Sequence, residues 1–150
     1  MDVGVFARES DRLGRAIEIG IASGRVISVS FPASPPADAA SDHPLLDRAF
    51  AYLDGASDHF DDVEVALTVP TEQRRVLEAT RNVPYGETVS LDRVMRMADL
   101  DPDEPEDVET ARAALAENPV PLFVPDHRVR DAPSGAPTSV TERLREIESI

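Results

Sequence analysis

The sequence predicts an α+β fold in which a small β-rich unit precedes a helical half. Apolar residues alternate with a period of two in the first third of the chain. They recur at helical spacing after residue 71, and Pro70 separates the two regimes. At 150 residues the chain has the size of one modest domain, or of two small halves sharing a core. The expected units are residues 1–70 and 71–150.

In chain order, Arg15-Ala16-Ile17-Glu18-Ile19-Gly20-Ile21 alternates, Ser23-Gly24 offers a turn, and Val26-Ile27-Ser28-Val29-Ser30-Phe31 alternates again. These are the signals of a hairpin. Residues 32–42, rich in Pro, Ala, Ser and Asp, read as a loop. Leu45, Leu46, Ala49, Phe50 and Leu53 fall at helical spacing and stop at Gly55. Val63, Val65 and Leu67 alternate as a short strand. Thr71 is expected to cap a helix carrying Val76, Leu77 and Ala79 that ends before Pro84. Tyr85-Gly86-Glu87-Thr88 is a turn, after which Ser90 caps a helix with Val94, Met95 and Ala98. Past the acidic loop 99–104, Pro105 suits a first helical turn, and a helix over about 105–117 carries Val108, Ala111, Ala114 and Leu115. A last helix over about 138–149 carries Val140, Leu144 and Ile147. Short helices joined by tight turns fit a helix-turn-helix arrangement, among other small α folds.

Composition excludes several chemistries. Without cysteine there are no disulfides, no thiolate metal sites and no cysteine catalysis. No metal or other cofactor is expected. No stretch approaches the roughly 20 apolar residues that span a bilayer. Met1-Asp2-Val3-Gly4 lacks the features of a signal peptide, so no membrane partner and a cytoplasmic location are expected. The chain has 29 acids against 15 cations, all of them arginine, for a net charge of −14. An acid-rich, lysine-free chain resembles proteins of salt-in halophiles, where charge maintains solubility although screening lengths fall to about 3 Å at 1 M salt. The same charge weighs against a polyanionic partner.

Two runs, Asn118-Pro119-Val120-Pro121 and Pro125-Asp126-His127-Arg128-Val129, stand at a fixed separation. With Val83-Pro84-Tyr85-Gly86-Glu87-Thr88-Val89-Ser90, with Glu148, and with a helix ending Tyr52-Leu53-Asp54-Gly55 after a hairpin, they form a specific set. Over nearly its whole length the chain resembles the methylated-DNA–protein-cysteine methyltransferases, the alkylguanine-DNA alkyltransferase family. The resemblance implies an RNase H-like N-terminal part and a C-terminal winged helix-turn-helix that enters the minor groove. There a damaged guanine is flipped out of the stack, because its reacting atom is unreachable inside a duplex. In the family the alkyl group passes to a cysteine activated by a histidine through water, with a glutamate behind it.

The cysteine position is Asp126 here, leaving His127 and Glu148 as remnants of the relay. By the same resemblance Asn118, Val124, Asp126, His127 and Val129 would line the substrate pocket, and Arg112, Arg128 and Ser90 would meet DNA. Elsewhere the pattern is broken. The family's intercalating arginine falls on Glu109; Arg112 follows on the same face but about 4.5 Å further along the axis. The tyrosine that helps rotate the phosphate is Leu91. The closing loop is replaced by Asp131-Ala132-Pro133-Ser134-Gly135-Ala136-Pro137 and looks shortened. Six acids occupy the nine positions 101–109, more than a helix dipole accounts for, and like-charge repulsion opposes phosphates there.

Asp126 has three readings: a polar structural residue, ion-paired with His127 or Arg128; an acceptor for the exocyclic amine of a flipped base; or a carboxylate nucleophile, far poorer than a thiolate. His43 and His59 receive no role, and Arg74 and Arg75 read as an exposed helix face beside Glu78. Cysteine-less members of the family bind alkylated guanine and recruit other repair proteins. The leading expectation is therefore recognition of alkylated guanine in double-stranded DNA without transfer, with other repair proteins as partners. The alternatives are a protein-interaction module that no longer binds DNA, and methyl transfer to a non-cysteine acceptor.

Overall fold

The computed structural model describes residues 3–150. Strands β1 (Gly4–Ser10), β2 (Arg15–Ala22) and β3 (Arg25–Ser30) form an antiparallel sheet in the order β1-β2-β3. The expected hairpin is β2–β3, turning at Ser23 and Gly24, both at positive φ. Its register shifts between Gly20 and Ile21, where Ser28 Oγ would lie 2.4 Å from a Cβ on Gly20. A side chain at this bulge would require the Ser28 hydroxyl to turn away. Strand β1 escaped the sequence reading because Val5 is exposed and Phe6 only half-buried, so its apolar alternation is weak.

Helix α1 (Pro44–Leu53) buries Leu45, Leu46, Ala49, Tyr52 and Leu53. His43 caps it, its Nδ1 accepting from Leu45 N at 3.0 Å, a local role that pattern reading missed. The strand expected over Val63–Leu67 is a single parallel bridge, Val26 with Val65. Val26 N donates to Glu64 O and Ala66 N to Val26 O, and the pairing goes no further.

Helix α2 (Thr71–Arg81) begins directly after Pro70. Thr71 is not its cap: Pro70 holds the cap position without a side-chain bond, and Thr71 is already helical. Ser90 does cap α3 (Leu91–Met97), its Oγ accepting from Arg93 N at 3.2 Å. Pro105 opens α4 (Pro105–Ala116). The chain closes with a 3-10 turn over Asp126–Arg128, strand β5 (Val129–Arg130) parallel to β4 (Val89–Ser90), and α5 (Thr138–Glu148). A small N-terminal sheet with a helical C-terminal part is the α+β arrangement expected from the sequence. One apolar cluster runs through both, including Ile17, Leu46, Leu77, Met95, Leu115, Phe123 and Leu144. Val29 N donates to Pro119 O across the two parts, tying the sheet to the segment that carries Asp126. No helix among the described residues is long and apolar enough to cross a membrane.

Candidate functional site

Asn118 builds the segment around Asp126. Its Oδ1 accepts from Val120 N and its Nδ2 donates to Val124 O, both at 3.0 Å, pinching residues 118–124 into a tight turn. Leu122 sits inside this turn at φ +86°, a left-handed conformation costly for a non-glycine residue and held by its burial in the core. Nδ2 of Asn118 donates its second proton to Asp126 Oδ2 at 3.0 Å.

The Asp126 carboxylate is 2% exposed and takes two further donors from the segment after β5. Ser134 Oγ donates to Oδ1 at 2.6 Å, and Gly135 N donates to Oδ2 at 2.7 Å. A Cβ on Gly135 would come within 2.3 Å of Asn118 O, so the loop lies directly on the Asn118 backbone. The segment 131–137 is therefore folded over Asp126 and latched by it. Burial pushes the Asp126 carboxyl above its ordinary range, while Ser134, Gly135 and Asn118 pull it back.

His127 and Arg128 do not pair with Asp126. Both turn to Glu148 on α5, whose side chain is fully buried. Arg128 donates from Nε to Oε1 at 2.8 Å and from a terminal nitrogen to Oε2 at 3.1 Å, and also reaches Val83 O at 2.8 Å. His127 Nε2, the Tyr52 hydroxyl and Gly86 N complete the set of donors on this carboxylate. Burial opposes the Glu148 charge, but the bonds from His127 and Arg128 outweigh it and bring its carboxyl down to about 2. Glu148 is thus ionised at neutral pH, and Nε2 is the protonated nitrogen facing it. Nδ1 of His127 is buried with no hydrogen-bond partner among the described residues.

The Glu148 carboxylate is thus held by donors from four residues, Arg128, His127, Tyr52 and Gly86. The chain holds no thiol; of the hydroxyls here, that of Tyr52 donates to Glu148 and that of Ser134 to Asp126. Nor, among the described residues, are three His, Cys, Asp or Glu side chains grouped to hold a metal ion.

Of the five residues expected to line a pocket, Asn118, Val124, Asp126, His127 and Val129, the first three are joined by hydrogen bonds, and all five are buried. Those expected at DNA are divided. Arg128 is 3% exposed and locked to Glu148, so it is not on the surface. Ser90 is half-buried, with its hydroxyl engaged in capping. Arg112 is exposed and donates to Asp131 O at 3.1 Å, holding α4 against the closing loop. Glu109 and Arg112 share a face there, lining with Pro105, Val108 and Pro133 a shallow cavity of about 530 Å³.

Sequence reasoning gave no role to Tyr52, Ser134 or Gly135. Tyr52 could have been found, since a tyrosine on the buried stripe of a helix needs a partner for its hydroxyl. The loop donors carry no such periodic signal.

The family model described as "6-O-methylguanine DNA methyltransferase, DNA binding domain" matches residues 71–147. A methylated-DNA–protein-cysteine methyltransferase of Methanopyrus kandleri is 33% identical over 107 residues, covering 69% of this chain and 77% of the relative. One from Methanothermobacter thermautotrophicus is 33% identical over 112 residues, covering 71% of this chain and 60% of the relative. Among solved structures, Mycobacterium tuberculosis OGT in complex with DNA superposes with a TM-score of 0.73 at 20% identity, covering 97% of this chain and 90% of that one. The O6-methylguanine-DNA methyltransferase of Pyrococcus kodakaraensis gives 0.69 at 20% identity, covering 98% and 100%.

Proposed function

Because the chain belongs to the methylated-DNA–protein-cysteine methyltransferase family, we propose that it binds alkylated guanine in double-stranded DNA and leaves the alkyl group in place. The observation that carries this reading is the engagement of Asp126. At the family's acceptor position stands a carboxylate whose two oxygens already accept from Ser134, Gly135 and Asn118. Oδ2 holds two donors and Oδ1 one, and each donor lowers the electron density left for attack on an alkyl carbon; the chain has no thiol to replace it. Support for DNA as the ligand comes from the match to the family's DNA-binding domain and from the relative whose structure holds DNA.

Access of a flipped base to Asp126 requires the Ser134 and Gly135 bonds to break. Two neutral-to-charged hydrogen bonds cost about 1.5–3 kcal/mol each net. A base offering its own amine to the freed carboxylate would return part of that cost, so binding would favour a base already easy to unstack. A second reading, a protein-interaction module, is favoured by the acids at the start of α4, of which Asp101, Asp103, Glu104, Glu106 and Glu109 are exposed.

Titration of fluorescent duplexes, with and without one O6-methylguanine, across a series of KCl concentrations tests the proposal. The expected result is tighter binding of the alkylated duplex. Equal binding of both would defeat lesion recognition, and no binding at any salt would leave the interaction module.

A further inference from the structure

A second surface of the molecule has the chemistry of a phosphate-binding groove. A cavity of about 690 Å³ lies between the turn 82–90, helix α3 and strand β5, with Arg93, Arg96 and Arg130 among its lining residues. An adjoining cavity of about 560 Å³ shares Asn82 and Met97 with it and adds Arg75 from α2. The guanidinium groups of Arg75, Arg93 and Arg96 have no hydrogen-bond or ion-pair partner among the described residues. Every other arginine there has a carboxylate, carbonyl or hydroxyl partner, Arg130 holding Thr88 Oγ1 at 3.0 Å. In a chain of net charge −14 with 29 acids, that the three partnerless arginines fall in two neighbouring cavities is an exception to the general trend. Arg93 and Arg96 stand one turn apart on α3, so both project from one face. Glu87 is the single carboxylate lining the larger cavity; Glu78 and Asp99 border the smaller one, and Glu78 is already paired with Arg74.

We infer that this groove holds the phosphate backbone of duplex DNA, separately from the face that reads the base. The inference rests on the proposed DNA binding. Four guanidinium groups spread over two adjoining cavities suit successive phosphates better than one small anion, since planar guanidinium forks match phosphate oxygens. The cavity on α4 that contains Glu109, Arg112 and Pro133 shares no lining residue with the arginine groove. The α4 start, with its acids, is a poor place for phosphates, and the groove supplies the cationic surface that α4 lacks.

The test compares wild type, Arg93→Ala/Arg96→Ala, Arg93→Lys/Arg96→Lys and Arg143→Ala on unmodified and O6-methylguanine duplexes over a range of KCl. Arg93 and Arg96 are exposed, and Arg143 pairs on the surface with Glu146, which makes it the control. Each lost phosphate contact lowers the slope of log K against log salt by about 0.9, so the double alanine variant should lose about 1.8. The lysine variant should keep most of the slope, the control all of it, and the preference for the alkylated duplex should be unchanged throughout. An unchanged slope in the double alanine variant with lesion preference intact would overturn the groove and leave the proposed function standing. A lowered slope without any lesion preference would support the groove and defeat that function. Polyglutamate bound more tightly than duplex at the same salt would overturn the inference in favour of an acidic protein partner, and an absence of DNA binding would defeat both.

Discussion

Replacing Asp126 by alanine removes the acceptor shared by Ser134 Oγ, Gly135 N and Asn118 Nδ2. Asn118 is 4% exposed, so its amide proton has no access to bulk water. A buried donor left without an acceptor costs about 1–3 kcal/mol. Ser134 is half-buried and Gly135 exposed, so both can recruit water and contribute less than the full penalty. The whole change should cost about 2–4 kcal/mol, which for a chain of this size lowers Tm by roughly 5–15 °C. Asp126→Asn should behave differently. An amide oxygen in the Oδ2 place still accepts from Gly135 and Asn118, and an amide nitrogen in the Oδ1 place can donate to Ser134 Oγ. Its cost should stay below about 1 kcal/mol. Urea unfolding gives the two stabilities, and amide hydrogen exchange over residues 131–137 reports the latch directly. Alanine should accelerate exchange in that segment and asparagine should not. If both variants match wild type in stability and exchange, Asp126 is not what holds the loop shut.

Glu148→Gln should destabilise by about 3–5 kcal/mol in thermal or urea unfolding, because the Arg128 guanidinium stays buried without its counter-charge. The Glu148 carboxyl lies at about 2 in the fold against an ordinary 4.5, so its contribution is fully present above about pH 4.5 and is lost as pH falls towards 2. The stability gap between wild type and Glu148→Gln should close over that window, and a gap constant with pH would refute the assignment. Asp126 carries the opposite sign: burial raises its carboxyl, so its ionisation costs stability as pH rises above the ordinary carboxyl value. Stability of Asp126→Asn relative to wild type should therefore rise with pH, read from paired urea curves. Gly135→Ala should lift the loop, since its Cβ would stand 2.3 Å from Asn118 O; faster exchange at 131–137 checks this.

The helices α1 to α5 were legible because burial of one face imposes a period on the sequence, as α2 and α5 show, and the hairpin β2–β3 because large apolar side chains alternate with small or polar ones. Elements with little buried surface left little pattern. Strand β1 leaves Val5 exposed and Phe6 half-buried, and the Val63–Leu67 segment makes one bridge, so its alternation had no ladder behind it. At the site, family spacing singled out Asn118, Asp126, His127 and Glu148, which the structure joins as two pairs, Asn118 with Asp126 and His127 with Glu148. It could not tell which carboxylate Arg128 would choose. That choice depends on α5 delivering Glu148 beneath Val83 and Tyr52, a contact between residues 20 to 96 positions apart. Nor could it show the latch, since Ser134 and Gly135 lie in a loop without periodicity and act through one hydroxyl and one backbone N–H.

The central claim, recognition without transfer, is tested most directly by incubating the protein in excess over duplex DNA carrying O6-methylguanine with a labelled methyl group. Bound and free DNA are then separated, and the label in protein and in DNA is counted. The account predicts that alkylated duplex is retained in preference to an unmodified competitor while the label stays on the DNA. Label on the protein, mapped by peptide mass to Asp126 or any other residue, would contradict it.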